Sequence, residues 1–423
     1  MNPLNRGQDK NIQVGIDIGS SQVRCAIVES DSENGAIKLL GLGARASTGM
    51  RKGSLIHIDK TITALDEALK EAELMANVKV ERAIIGISGE HIRGINTQGA
   101  IAVHKSSTQN IPVEHEISAH DVHRVLELSK AISLPMDRDI LHVLPQEYII
   151  DTMGSIKDPV GMSGRRLEAR IHLITVATTA AKNVAKCAEE LGIEIEALVF
   201  QALAASLPTL TQDEKELGVA LVDLGAGTTD ITVYYEGGIR HSAVIGLGAN
   251  SITNDIAMML QINIEEAEQI KLKYASAKAA LASTELEFEL PVQENEIARK
   301  VSEHELSRYV EARMVELFQM VAREITRADI RERLTFGAVL TGGGALLKNV
   351  TSLAGEVFQE PVRIGYPKGI SGVVDVASSP VYTTVLGLTQ WKTREDEFNI
   401  GLLPDKPLSQ AINKLKKWFK EFF

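Results

Sequence analysis

The chain has 423 residues, 44% hydrophobic and 24% charged, with a formal net charge of −11; these are the proportions of a soluble globular protein with room for two or more cored domains. The acidic balance and an aromatic content of 4% argue against a nucleic-acid surface. Cys25 and Cys187 form no CxxC pair, the histidines form no HExxH, no apolar run reaches membrane-spanning length, and the polar start MNPLNRGQDK lacks a leader pattern, so structural zinc, a spanning helix and a signal peptide are not expected and a reducing compartment is.

In chain order, residues 12–43 alternate apolar runs with turns and predict a three-stranded meander. Residues 59–76 carry Ile62, Leu65, Leu69 and Ala72 at helical spacing, which predicts an amphipathic helix with Asp59 as N-cap. A buried strand follows at 82–88. The stretch 89–165 changes character, with clustered histidines, prolines and a helix pattern near 118–131, and reads as a small α/β module inserted into the first domain. Strand signals at 169–177 and 193–199 flank a helix at 180–191, and residues 201–207 begin an apolar helix. The second half repeats the plan. A meander over 217–245 precedes helices near 249–260 and 265–275, then a polar, acidic stretch at 281–300 with strand-like pieces. A long helix is predicted near 303–333, with Leu306, Val310, Met314, Leu317, Val321 and Ile325 on one face, followed by a strand at 338–340 and a helix from Ala345. A meander followed by helices, twice, fits two α/β domains related by duplication.

Two turns carry the chemistry. Asp17-Ile18-Gly19-Ser20-Ser21 and the run from Asp223 through Gly225, Gly227, Thr228 and Thr229 to Asp230 each sit between two apolar strands. Their glycines let the backbone approach an anion, and their hydroxyl and N–H groups can donate to phosphate oxygens. Asp17 and Asp223 end their strands, placed to hold a hydrated cation between the turns. One such turn is usually a plain hairpin; two matched turns point to a duplicated domain clamping a nucleotide tail. A third loop, Gly342-Gly343-Gly344, lies between a strand and a helix and is not a GxGxxG motif. Alone it reads as a tight connection; beside the two turns it reads as a flat floor for an adenosine, where a Cβ would block the ribose.

Residues 409–423 form a second informative stretch. At helical spacing Leu408, Ile412, Leu415, Trp418, Phe419 and Phe422 fall within an arc of roughly 120°, and Lys414, Lys416, Lys417 and Lys420 fall opposite. A basic amphipathic helix with Trp and Phe on one face reads as an in-plane membrane anchor attracted to anionic lipid. A helix docked on the protein's own core is the alternative, disfavoured by the polar linker with Pro404 and Pro407.

The strings DIGSS, DLGAGTTD and TGGGALL, in this order and spacing, resemble the actin, heat-shock chaperone and sugar-kinase superfamily. Within it HVLPQEYIIDTMGSIKDPVGMSG (142–164), ARIHLITV (169–176), RHSAVIGLGANSITNDIA (240–257), VLTGGGALL (339–347) and VRIGYP (362–367) resemble the FtsA family of bacterial cell division. The resemblance implies an actin-like (ribonuclease H-like) duplicated α/β fold. The first domain would take 12–86, 166–210 and 376–392, with an FtsA-type inserted subdomain at 87–165. The second would take 211–248 and 335–375, with an upper subdomain at 249–334. A linker at 393–408 and the membrane helix would follow. It implies ATP and Mg2+ as ligands, with Glu268 and Lys271 lining the ribose and adenine, or else forming an exposed helix face. Gln201 matches the water-orienting glutamine of actin, with any ATPase activity weak. Arg313, assisted by Lys300 and Arg308, would bind the acidic C-terminal peptide of tubulin-like FtsZ, or form a solvated face. The implied role is a filament-forming tether of the FtsZ ring to the cytoplasmic face of the inner membrane that helps recruit later division proteins. Two other readings stay open, a PilM-like pilus-assembly adaptor and a sugar or acid kinase of the same superfamily.

Overall fold

Asn11–Ile18 and Gln22–Ser30 are buried at most positions, the pattern of strands covered on both faces. The computed structural model describes residues 11–30, 37–103, 115–290, 299–330, 333–372 and 377–392. In it these strands and Ile37–Ala46 form an antiparallel meander. Arg82–Ile87 adds in parallel to Asn11–Ile18, and Glu194–Phe200 adds in parallel to Arg82–Ile87. With Ile370–Gly372 on the far edge, the sheet has six strands.

The second half builds the same device. Val219–Leu224, Thr229–Tyr235 and Gly238–Ile245 form an antiparallel meander. Ala338–Thr341 adds in parallel to its first strand and Val362–Ile364 in parallel to Ala338–Thr341, giving five strands. The register of the two hairpins matches residue for residue: Asp17 faces Arg24 across the first, and Asp223 faces Asp230 across the second.

The helices follow the apolar periodicity, with three differences. Ile58–Ala76 is capped by His57 without a side-chain hydrogen bond, so Asp59 is not the N-cap; it sits in the first turn, where its charge suits the helix dipole. Glu303–Arg327 stops short of residue 333, because Asp329 turns into the left-handed region at φ 55°. After the third glycine loop the chain makes a 3-10 turn, Gly343–Leu346, and the α-helix starts only at Val350. The apolar face expected of the long helix is buried: Leu306, Val310, Met314, Leu317, Val321 and Ile325 pack with Ile252, Ile256 and Phe358 in one core.

Residues 96–133 and 143–173 form a compact unit of their own; the other described residues form the first unit. The second unit holds most of a four-stranded sheet ordered Met153–Ile156, Arg138–Ile150, Arg166–Ala177, Arg93–Ala102. Its helix, Ala119–Lys130, begins at a capping box in which Ser118 and Asp121 satisfy each other's backbone N–H groups. Ile117, Val122, Val125, Tyr148, Leu167 and Ile171 make its core.

The linker at 393–408 and the predicted anchor helix, with Ile412, Leu415, Trp418, Phe419, Phe422, Lys414, Lys417 and Lys420, lie outside the described residues. No helix among the described residues is long and apolar enough to cross a membrane.

Two short helices of the first unit, Gln201–Thr209 and Thr383–Gln390, are buried along their whole length and pack on each other. Gly387 permits the approach: a Cβ there would stand 1.9 Å from the Ala204 carbonyl oxygen. Gly387→Ala is therefore expected to destabilise the fold by about 2 kcal/mol, seen as a lower urea midpoint at unchanged slope. An unchanged midpoint would mean that the two helices separate without cost.

Candidate functional site

Each of the two glycine turns expected to hold phosphate is closed by its own backbone; Gly19 N–H donates to the Gln22 carbonyl at 3.0 Å and Gly225 N–H to the Asp223 carbonyl at 3.1 Å. The structure brings the two turns together around a cavity of about 480 Å³. Asp17, Gly19, Ser20 and Ser21 line it from one side, and Asp223, Gly225, Gly227 and Thr228 from the other. Gln201, Glu268, Lys271 and Gly342 to Gly344 complete the predicted set. Thr229 is the exception. It is fully buried in its strand, and its hydroxyl donates to the Leu247 carbonyl at 2.8 Å; strand alternation turns it away from the face that Thr228 presents.

Buried carboxylates form the base of the cavity. Gln201 Nε2 donates to Asp17 Oδ1 at 2.8 Å, and Thr384 Oγ1 donates to Asp223 Oδ2 at 2.9 Å. Each of the two paired helices thus sends one polar side chain to one phosphate-turn aspartate. Asp230 is the third carboxylate, accepting from Ser88 Oγ at 2.6 Å. Arg24 stands 3.4 Å from Asp17, and its Nε is buried without a partner among the described residues. Burial pushes the Asp17 carboxyl up, and Arg24 opposes that. Burial also pushes Asp223 up to about 6, helped by Asp17. Burial, then the charge of Asp223, holds Asp230 well above the ordinary carboxylate range. Desolvated acids facing a polar cavity call for a cation. Among the described residues no group of three or more His, Cys, Asp or Glu is arranged to ligate a metal directly. Asp17, with both oxygens hydrogen-bonded, to Gln201 and Arg24, and Asp223, with one, fit a divalent cation held through its water shell.

At the other end of the cavity Lys271 Nζ reaches Thr253 Oγ1 at 2.9 Å and Glu268 Oε2 at 2.6 Å. The three glycines divide by role. Gly342 has φ 80°, and a Cβ there would lie 2.2 Å from Asp223 Oδ1. A Cβ on Gly344 would lie 2.8 Å from Leu224 Cβ. The protein's own packing thus requires both, and both also line the cavity. Gly343 alone has open space where its Cβ would be.

Arg313 lies away from this cavity and is forked onto Asp255, with Nε to Oδ2 at 2.5 Å and Nη2 to Oδ1 at 2.9 Å; it also pairs with Glu316. Lys300 is exposed 3.9 Å from Glu289, and Arg308 is exposed on the same long helix as Arg313. Sequence reasoning missed Arg24, Ser88, Asp230 and Thr384 as site residues. Arg24 and Asp230 occupy matching places in the two hairpins, so overlaying the duplicated turns would have exposed both.

The family model described as "Cell division protein FtsA" matches residues 220–387, and that described as "SHS2 domain inserted in FTSA" matches residues 89–175. The chain is 36% identical to the cell division protein FtsA of Pseudomonas aeruginosa over 98% of this chain and 99% of that one. To the FtsA of Escherichia coli strain K12 it is 33% identical over 99% of this chain and all (100%) of the other. Among solved structures, the fold is similar to a PilM-PilN type IV pilus biogenesis complex, with TM-score 0.63 and 16% identity over 89% of this chain and 97% of that chain. It is also similar to MreB 5 of Spiroplasma citri bound to AMPPNP, with TM-score 0.55 and 14% identity over 94% of this chain and 100% of that one.

The carboxylate cluster sets a pH dependence. A carboxyl whose folded pKa is raised binds its proton in the native state before the unfolded chain does. Stability therefore rises as pH falls from 7 towards 5 and is lost as pH rises through about 6, the value for Asp223. Asp230→Asn keeps an acceptor for Ser88 and removes the cost of burying an ionisable carboxyl. It is expected to stabilise the protein at pH 7.5 by about 1 kcal/mol or more and to reduce the gain on acidification, as read from thermal midpoints across pH. A loss of stability at pH 7.5 would show that Asp230 is held as a favourable anion.

Proposed function

The chain belongs to the FtsA family of cell division proteins, and on that footing we propose that it binds ATP, polymerises at the cytoplasmic membrane, anchors the FtsZ ring there and helps recruit later division proteins. The observation that carries the nucleotide part is the meeting of two duplicated phosphate turns across one cavity, with a carboxylate at the base of each. Ser20, Ser21 and Thr228, with the turn N–H groups, would donate to the phosphates. Asp17 and Asp223 would hold hydrated Mg2+, which supplies positive charge against the triphosphate. Glu268 and Lys271 would take the ribose and adenine, above Gly343. Gln201 is committed through its amide nitrogen to Asp17, so orienting a water would fall to its amide oxygen, which agrees with a weak ATPase.

Family membership and near full-length identity favour this role over the pilus adaptor, whose support is a likeness of fold, and over a metabolic kinase. Membrane attachment is assigned to residues 409–423 from their pattern of charge and apolarity. FtsZ capture is assigned to Arg313 with Lys300 and Arg308, where acidic peptide groups would compete with Asp255 for the Arg313 fork.

Liposome co-sedimentation with FtsZ and Mg-ATP tests the tether. The intact protein is expected to pellet with FtsZ. A truncation before Ser409 should leave both in solution, and Arg313→Glu should pellet alone. If the intact protein pellets and FtsZ stays in solution, the partner is wrong; if the truncated protein pellets equally well, the tail is not the anchor.

A further inference from the structure

Neither phosphate turn contains Lys or Arg. The cations that line the cavity are engaged elsewhere: Arg24 with Asp17, Lys271 with Glu268, and Lys348 with Glu303 at 2.8 Å. A polyphosphate above three buried carboxylates would therefore need positive charge beyond that of the cation held by Asp17 and Asp223.

A two-residue hairpin stands at that place. Met50–Arg51 pairs with Ser54–Leu55, and the turn residues Lys52 and Gly53 have φ 49° and φ 73°. Consecutive left-handed residues define a turn that favours Asn-Gly. Lysine in the first position is an unfavourable choice, of the kind retained where a side chain has a task. The main chain of the tip is hydrogen-bonded to the first turn and packs closely against the second. Gly53 N–H donates to Ser20 Oγ at 3.0 Å. Lys52 N lies 3.0 Å from where a Cβ on Gly227 would be, so the tip closes on the second turn as well. From behind, the His91 ring hydrogen-bonds the Gly53 carbonyl, and Arg138 Nη2 holds the His91 carbonyl at 2.8 Å. The Lys52 side chain is exposed and has no ion-pair partner among the described residues. It lines a second, larger cavity of about 1200 Å³ that shares Ser20, Ser21, Ala226 and Gly227 with the nucleotide cavity.

We propose that Lys52 is the cation for the terminal phosphate of a bound nucleoside triphosphate, and that the hairpin tip thereby distinguishes a triphosphate from a diphosphate. This rests on the nucleotide reading above. The backbone anchors set the tip at a fixed distance from Ser20 and Gly227, so the ammonium group meets the phosphoryl group that a diphosphate lacks. Lys52 is thus a specificity-determining residue, and His91 and Ser20 are its positioning residues.

Lys52→Asn is the test, because Asn-Gly suits the turn and removes only the charge. Mg-ATP and Mg-ADP are titrated calorimetrically into the full chain, with the thermal midpoint as a check on folding. Mg-ATP affinity should fall about tenfold or more, Mg-ADP affinity should stay within about twofold of the parent protein, and the midpoint should hold or rise. Lys52→Arg should retain the preference for the triphosphate. Equal losses for both nucleotides, or no loss for either, would overturn the proposal while leaving the nucleotide site in place. If the parent protein binds neither nucleotide, the nucleotide reading fails and takes this proposal with it.

Discussion

Three carboxylates, Asp17, Asp223 and Asp230, are buried at one place, and much of the first unit is arranged around keeping them there. A buried acid without a partner would protonate or disrupt its surroundings. Here each is held by a donor from a different element: Gln201 on Asp17, Thr384 on Asp223 and Ser88 on Asp230. The donors are positioned by packing. Gln201 and Thr384 lie in the first turns of the two fully buried helices, whose contact depends on the missing side chain of Gly387. A site that concentrates negative charge and then presents hydroxyls and N–H groups above it suits an anion that arrives with its own cation.

Duplication explains why the arrangement is nearly symmetric and also where it is not. Both halves use a meander, a tight glycine turn and an aspartate at the strand end. The partner across the hairpin differs: the first half places Arg24 opposite its aspartate, and the second places Asp230. The base of the cleft is thereby polarised, with a guanidinium on one side and a second acid on the other. The same asymmetry leaves the phosphate turns without a basic residue of their own, which gives the Met50–Leu55 hairpin its significance.

Much of this was legible in the sequence because it is local. The phosphate turns show as Gly, Ser and Thr between apolar runs, and the long helix from Glu303 shows its buried face in its spacing. Contacts between distant segments left no such mark. Ser88 meets Asp230, and Thr384 meets Asp223, across separations of 142 and 161 residues, with no motif at the Ser88 or Thr384 end. Arg313 looked like a basic face awaiting a partner, whereas Asp255, 58 residues away, already occupies its fork. Local chemistry misled in smaller ways. Asp59 is a good N-cap residue two positions past the actual cap at His57, and Gly342 is required by its close approach to Asp223 whatever it also offers a ligand. Thr229 reads as part of the second turn yet already belongs to the strand behind it.

The central claim is that the cleft accepts a nucleotide together with a divalent cation, because its carboxylate base repels phosphate alone. Calorimetric titration of the full chain with ATP, in excess Mg2+ and then in excess EDTA, tests this most directly. The account predicts saturable binding of one nucleotide per chain with Mg2+ and an affinity lower by at least about tenfold without it. Equal affinity in both conditions, or no binding in either, would contradict it.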